Sequence, residues 1–105
     1  MNVGAMRHRI TFQAQEGQKD VLGGHTGPWK DVASVWAQVK PISGREYFSN
    51  VRETTVSHKI FCRYREGITP RLRVKYGKRV FKIISVINWD ERNEGLTLMC
   101  EEMIP

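Results

Sequence analysis

The sequence predicts a mainly β protein: a small antiparallel β-barrel of about six strands with one short helix and long loops. Residues 54–65 alternate between apolar and polar side chains, which is the period-two pattern of a half-buried strand. Farther on, Gly77-Lys78 separates two more alternating runs, and a two-residue loop that begins with glycine is typical of a type II′ hairpin. With this many strands in 105 residues, the stable arrangement is a sheet curled on itself.

The first strand precedes a long connection. Alternation over residues 9–15 predicts a strand with Ile10, Phe12 and Ala14 inward. Residues 16–28 are rich in glycine and poor in large apolar side chains, so we expect a projecting loop. Both an inert surface excursion and a segment that orders on a partner fit this composition.

The second strand is predicted over residues 29–40 and ends at Pro41. Its inward set is Ala33, Val35, Ala37 and Val39. Because Val32 and Trp36 fall on the opposite face, we expect both faces to be at least partly covered.

A short helix is predicted next. Ser43-Gly44-Arg45-Glu46 has the S-x-x-E pattern of a capping box, in which the hydroxyl and the glutamate satisfy orphan backbone amides. Tyr47, Phe48 and Val51 then form one apolar stripe. Two roles are open for Tyr47 and Phe48: covering one end of the barrel, or anchoring a neighbouring subunit.

Four further strands complete the prediction. The run over residues 54–65 places one apolar set inward: Val56, His58, Ile60, Cys62 and Tyr64. After the breakers Gly67 and Pro70, basic residues at 71, 73 and 75 alternate with Leu72, Val74 and Tyr76. Residues 79–87 form the second arm of the hairpin. A polar connection containing Trp89 leads to the last strand, residues 96–101, with Leu96, Leu98 and Cys100 inward.

Composition limits the possible classes of protein. A chain of 105 residues is predicted to be one domain, residues 1–105, that buries about two-thirds of its unfolded surface. No apolar run has the length of a membrane span and residues 1–5 lack signal-peptide features, so we expect a cytoplasmic protein that does not enter a membrane. Cys62 and Cys100 are predicted to be buried, reduced thiols. The histidines are scattered, so neither a metal site nor a cofactor is expected.

Positive charge is concentrated in one part of the chain. The net charge is +6, and residues 59–82 contain Glu66 as their one acidic side chain among many basic ones. We predict a basic face made of Arg71, Arg73, Lys75 and Lys78. Such a row of cations suits an acidic protein surface or a phosphate backbone without sequence preference, and a solvated strand face is the alternative.

Motifs of catalysis do not occur in the sequence. There is no nucleophile elbow, no phosphate-binding loop followed by lysine, and no zinc-protease pattern. His58 lies on an apolar strand face, where a satisfied core histidine is expected. Asp90 and Glu91 are neighbours in a polar turn and should point apart. We therefore predict that the protein is not an enzyme and has no catalytic residues.

Short motifs occur one after another along nearly the whole chain, and their order is informative. They are Arg7-His8-Arg9-Ile10, residues 29–37 leading to Pro41 and to residues 43–46, His58-Lys59-Ile60, residues 63–69, 73–77, 79–83, 87–88 and 90–93, and residues 96–101. In this order the chain resembles the head-tail joining proteins of tailed bacteriophages, also called head-completion, adaptor or stopper proteins. The glycine-rich first loop also fits this family.

The resemblance implies a structural virion protein without catalysis. Such a protein forms a ring, in this family dodecameric, at the neck between the portal or its adaptor ring and the tail proteins. The ring helps to retain packaged DNA, which lies nearby without sequence-specific contact, and the protein assembles in the bacterial host cytoplasm. We expect the contacts with partner rings to come from two segments. Their residues are Ser43, Gly44, Arg45, Glu46, Tyr47, Phe48, Gly23, Gly24 and His25.

A second class of function is open from the residues alone. A basic small β-barrel is also the form of single-stranded nucleic-acid-binding modules of the OB or Sm-like type. Those modules need exposed aromatic side chains among the cations. Tyr64 and Tyr76 are predicted on the apolar faces of their strands, which disfavours this alternative.

Overall fold

The computed structural model describes residues 6–15, 27–42 and 56–103, which form a closed antiparallel barrel of six strands. The strands are β1 (His8–Gln15), β2 (Trp29–Pro41), β3 (His58–Arg63), β4 (Arg73–Tyr76), β5 (Arg79–Asn88) and β6 (Gly95–Met103). Their order around the barrel is β1-β2-β3-β6-β5-β4, and β4 closes the ring by pairing with β1. The predicted fold class is confirmed. The predicted helix after Pro41 lies outside the described residues.

The barrel interior is filled by the apolar set that alternation predicts. Its fully buried members are Ile10, Phe12, Ala37, Ile60, Cys62, Val74, Phe81, Ile83, Leu98 and Cys100. They come from all six strands, because side chains at every second position of each strand point to the same face. Both cysteines are free and buried, as predicted. β6 is longer than expected at both ends, since it pairs with β3 from Gly95 and with β5 as far as Met103.

The tight turn between β4 and β5 also agrees with the prediction. Gly77 has φ +62°, whereas Lys78 is not in the positive region, which fits a type II′ turn and excludes type I′. The register Tyr76↔Arg79 continues to Arg73↔Lys82. However, β4 begins only at Arg73, because Leu72 bonds back to the Thr69 carbonyl and residues 70–72 form a bend. Arg71 therefore does not lie on the strand, contrary to the predicted basic face.

One irregularity lies where β1 pairs with β2. Phe12 pairs with Ala33 but Gln13 pairs with Asp31, so Val32 is an extra residue that bulges from β2. Gln13 shares the outer face with its cross-strand partner Arg73 and is nevertheless buried, where it bonds both Asp31 and Arg73, whereas Ala14, predicted inward, is only half-buried. Val32 and Trp36 are 51% and 54% exposed, so the predicted cover of both faces of β2 is wrong for the outer face.

The antiparallel topology gives the barrel two ends with different composition. The first, here the Lys78 end, contains the β4–β5 turn and the strand ends His8, Pro41, His58 and Met103. The second, here the Trp89 end, contains the strand ends Gln15, Trp29, Arg63, Arg73, Asn88 and Gly95. At this end Trp89–Glu91 forms a short 3₁₀ turn between β5 and β6.

Candidate partner-binding surfaces

The two segments predicted to contact partner rings start from opposite ends of the barrel. Gln15 and Trp29 are direct partners across β1 and β2 at the Trp89 end. At the Lys78 end, the Ile42 amide donates to the Ser57 carbonyl at 3.1 Å. Each connection therefore leaves and re-enters the barrel at neighbouring backbone positions. The predicted contact residues themselves lie outside the described residues: Gly23, Gly24, His25, Ser43, Gly44, Arg45, Glu46, Tyr47 and Phe48.

A groove with a cavity volume of about 500 Å³ runs along the outside of β4 and β5. Its apolar lining is Trp29, Pro70, Leu72, Val80 and Met103, and its cations are Arg71, Arg73, Lys78 and Lys82. We call this surface the basic groove. It contains no carboxylate among its lining residues, although Glu101 is the cross-strand partner of Lys82 on β6. Three members of the predicted basic face line it, and Lys75 lies exposed next to it on β4.

Arg73 differs from the other cations because it is held by neighbouring side chains. Its Nε donates to Gln13 Oε1 at 2.8 Å, and its guanidinium lies 4.2 Å from the centre of the Trp29 ring. Gln13 in turn donates from Nε2 to Asp31 Oδ1 at 2.7 Å. Partial burial lowers the pKa of Arg73, which nevertheless stays a cation. Arg73 is thus a structural residue as well as part of the groove, while Arg71, Lys75 and Lys78 are exposed.

A second surface on the opposite side of the barrel escaped the sequence prediction. A cavity of about 520 Å³ is lined by Met6, Val35, Trp36, Arg63, Tyr64 and Arg65, which we call the aromatic–arginine patch. Tyr64 was predicted inward, but β3 ends at Arg63 and the Tyr64 amide bonds to the Glu94 carbonyl at 3.1 Å, so its side chain is 36% exposed. Arg9 also lies over the Trp36 ring at 5.3 Å. The arginines on either side of Tyr64 are the sequence feature that could have indicated this patch.

Three strands are joined at the Lys78 end by a network around His58. Arg79 makes a bidentate pair with Glu102, with Nε to Oε2 at 2.8 Å and Nη2 to Oε1 at 3.0 Å. Arg79 Nη2 also lies 3.2 Å from His58 Nε2, and since arginine only donates, that nitrogen accepts. His58 Nδ1 then donates to Ser57 Oγ at 2.8 Å. His58 packs edge-on against Phe81, with 5.0 Å between ring centres, as expected of a satisfied core histidine.

The pKa values of the three titratable groups are shifted in the directions that keep the Arg79–Glu102 pair charged and His58 neutral. Burial first, and then the charge of Arg79, lowers the pKa of His58, while Glu102 opposes the shift. The hydrogen bond from Arg79 lowers the pKa of Glu102, and the same bond raises the pKa of Arg79. The network therefore holds a neutral imidazole beside an ion pair, and its role is to fix β3, β5 and β6 to one another.

The described residues offer few groups for chemistry. Burial raises the pKa of the Cys62 thiol to about 11 and that of Cys100 to about 12, so neither is a nucleophile near neutral pH. No group of three or more potential metal ligands occurs within the described ranges. Across those same three ranges, no helix is long and apolar enough to cross a membrane. What the described surface offers is charge and apolar area for binding.

The turn between β5 and β6, residues 88–94, forms a small acidic projection at the Trp89 end. Asp90, Glu91 and Glu94 are exposed, and Ile87 just before them is 49% exposed. We call Ile87 and residues 88–94 together the acidic turn. Asp90 and Glu91 both have positive φ and are both exposed.

Comparison with known proteins places these features in context. A family model described as phage head completion protein matches residues 1–103. The solution structure of protein SF1141 from Shigella flexneri 2a is 30% identical, with a TM-score of 0.76 over 97% of this chain and 96% of that one. A chain in the virion of a native gene transfer agent particle is 24% identical, with a TM-score of 0.69 over 94% and 96%, and shares the fold. Comparison with curated proteins gives no match.

Proposed function

This chain belongs to the phage head completion protein family, and we propose that it is a non-enzymatic protein of the virion neck. In this proposal residues 1–105 form one domain, and twelve copies make a ring between the portal or adaptor ring and the tail proteins. The ring joins the DNA-filled head to the tail and helps to retain the DNA. It assembles in the bacterial host cytoplasm and enters no membrane.

The family match over nearly the whole chain is the observation that carries this proposal. The barrel supports it physically. The long connections start from opposite ends, so one subunit can present one segment towards the head and the other towards the tail. A closed barrel between them is a rigid spacer, because it has no free sheet edge that could exchange partners.

The basic groove is proposed to contact an acidic surface in the particle. Arg71, Lys75 and Lys78 are exposed cations that make no contribution to the barrel interior. A contact that matches charge without reading base edges would suit a neighbouring virion protein or packaged DNA. Arg73 is better left intact in experiments, because it also bonds Gln13.

Loss of the protein from a phage that encodes it tests the proposed function. Particles made without it should be filled heads that lack tails or lose their DNA, counted by electron microscopy and by nuclease-resistant DNA. Supplying the normal chain should restore tailed particles. The variant Arg71→Gln/Lys75→Gln/Lys78→Gln should fold normally but should not restore the full yield of tailed particles. Normal tailed particles in the absence of the protein would contradict the proposal.

The aromatic–arginine patch supports a second candidate function, the binding of single-stranded nucleic acid. Trp36 and Tyr64 are exposed beside Arg63 and Arg65, which is the combination that single-stranded nucleic-acid binding requires. Binding of a dye-labelled oligothymidylate, followed by the fluorescence anisotropy of the dye, tests it. Binding that is lost in Trp36→Ala and absent for a duplex of equal length would favour this second function over a purely structural one.

A further inference from the structure

The acidic turn is an ordered projection with an apolar side chain, the three carboxylates of Asp90, Glu91 and Glu94, and one cation, Arg92, so that its net charge is −2. Asn88 Oδ1 accepts from the Asn93 amide at 3.1 Å, and Trp89 Nε1 donates to Thr97 Oγ1 at 2.7 Å. These bonds hold a backbone in which Asp90, Glu91 and Asn93 all have positive φ. Such a conformation is costly for side chains other than glycine and persists where the surroundings fix it. The projection is therefore preorganised.

The basic groove has the complementary chemistry. Its floor contains Val80 and Met103, of which Met103 is 48% exposed, and its rim contains Arg71 and Lys78. An exposed apolar side chain flanked by carboxylates, such as Ile87 with its turn, fits an apolar floor flanked by cations. Opposite charges around a small apolar contact give orientation and suppress wrong pairings.

Within one chain Ile87 cannot reach Met103. Ile87 is the cross-strand partner of Thr97, whereas Met103 lies six residues farther along β6. At about 3.4 Å per residue this separates Ile87 from Met103 by roughly 20 Å. A contact between Ile87 and Met103 must therefore join two molecules.

We propose that the acidic turn of one copy docks into the basic groove of the next copy. The inference rests on the proposed ring and names the surfaces that would build it. Because the two surfaces differ, the contact is head-to-tail and repeats from copy to copy, which is the type of interface that closes into rings. The contact is small and charged, so it should be transient in free protein and become stable when copies are held close together.

Cysteine cross-linking tests this contact directly. A chain that carries Ile87→Cys and Met103→Cys cannot close a disulfide within itself, because disulfides need Cα atoms within about 7 Å. The native thiols are buried, with the pKa of Cys62 raised to about 11 and that of Cys100 to about 12, so they should not compete. Mild oxidation of the concentrated protein should give a covalent ladder beyond the dimer. The matched controls, each with one introduced cysteine, should stop at the dimer.

Charge reversal in the same cysteine background tests whether complementarity drives the contact. Arg71→Glu/Lys78→Glu, and separately Glu91→Lys/Glu94→Lys, should each reduce the ladder by roughly tenfold, which corresponds to about 1.4 kcal/mol. All four substitutions in one chain should restore it. Arg63→Glu/Arg65→Glu makes the same change of charge in the aromatic–arginine patch and should leave the ladder unchanged.

Three results would overturn the inference: no ladder, a product that stops at the dimer, or a ladder insensitive to reversal of the groove. Oxidation of purified particles that carry the Ile87→Cys/Met103→Cys chain separates this inference from the proposed function. If the protein is present in tailed particles but its two introduced cysteines do not link neighbouring copies, the neck function stands and this contact is wrong. If the protein is absent from particles, the proposed function itself fails.

Discussion

Gln13 is a buried polar side chain whose hydrogen bonds connect neighbouring strands of the barrel. It is 6% exposed, and its amide joins Asp31 on β2 to Arg73 on β4. Sequence alternation could not identify it, because Gln13 lies on the outer face with Arg73, and its burial comes from side-chain contacts with Asp31 and Arg73 that periodicity does not predict. Apolar residues such as Ile10 and Phe12 were predictable, since burial follows directly from their period of two.

Replacing Gln13 should therefore destabilise the protein more than its position on a predicted polar face suggests. Gln13→Ala removes two part-buried hydrogen bonds, to Asp31 and to Arg73, and at about 0.5–1.5 kcal/mol each they contribute about 1–3 kcal/mol together. We expect a loss of that size in urea unfolding. The matched control is Thr11→Ala, which removes an exposed bond to Ser34 at 2.9 Å and should cost less than about 0.5 kcal/mol. Equal effects of the two variants would show that Gln13 is no more important than a surface residue.

His58 should make stability depend on pH. Its pKa is lowered in the folded protein, so below the ordinary value of 6.5 the unfolded chain binds a proton that the folded chain resists. Stability should therefore fall as the pH is lowered from about 7.5 to about 5.5. In His58→Gln this fall should be smaller, because the other titrating groups are common to both proteins. Glu102 acts only at lower pH, since its pKa is already below its ordinary value of 4.5. The measurement is thermal unfolding of both proteins at the two pH values. An equal loss of melting temperature in the normal protein and in His58→Gln would contradict the prediction.

At the scale of elements, the strands were predictable and their outer faces were not. All six strands lie where alternation and turn residues indicate, because inward side chains must fill the barrel. The exposed side chains are not constrained in this way. Tyr64 was misplaced because β3 ends at Arg63, two residues before the end of the alternating run, where the Tyr64 amide bonds the Glu94 carbonyl. The bend that removes Arg71 from β4 likewise depends on Thr69 and not on periodicity.

The connection between β1 and β2 should be dispensable for folding but needed for assembly. Gln15 and Trp29 are already paired, so a short turn can join them, and shortening changes loop-closure entropy by well under about 1 kcal/mol. We expect replacement of residues 18–27 by a short Gly-Ser turn to leave thermal unfolding nearly unchanged. In complementation of a defective phage, the variant should yield full heads that lack tails or leak DNA. Within the described part of the chain, the replacement removes the exposed bond of 3.1 Å from Gln15 Nε2 to the Gly27 carbonyl.

Two other outcomes of that replacement are informative. Unfolding or aggregation of the variant would mean that the connection belongs to the core. Full complementation by a folded variant would make it an inert excursion and would leave residues 43–51 or other segments as the source of the contacts.

For the whole molecule, barrel closure decides how much surface is left for association. Pairing of β1 with β4 joins segments that are far apart in the chain and leaves every strand with two neighbours. Among the described residues, the large exposed apolar side chains are distributed over different faces, with Val32 on β2, Trp36 and Tyr64 in the aromatic–arginine patch, Ile87 on β5 and Met103 on β6. Each lies beside charged side chains. Stable interfaces generally bury a contiguous area with a well-packed centre, and these separated residues do not supply one.

The isolated protein should therefore be a monomer or a mixture of small species. Without a partner ring to hold copies at high local concentration, a contact such as the acidic turn in the basic groove gains too little to offset the lost translational and rotational freedom. Light scattering coupled to size exclusion should give a mass near 12.2 kDa at micromolar concentration. Lower salt should shift the mass upward slightly, because a charge-matched contact is screened less. Ile87→Ser/Met103→Ser is the matched control and should remove that shift without changing the fold. A stable ring at micromolar concentration in the absence of any partner would mean that the described surfaces conceal a much stronger interface, or that residues 43–55 supply one.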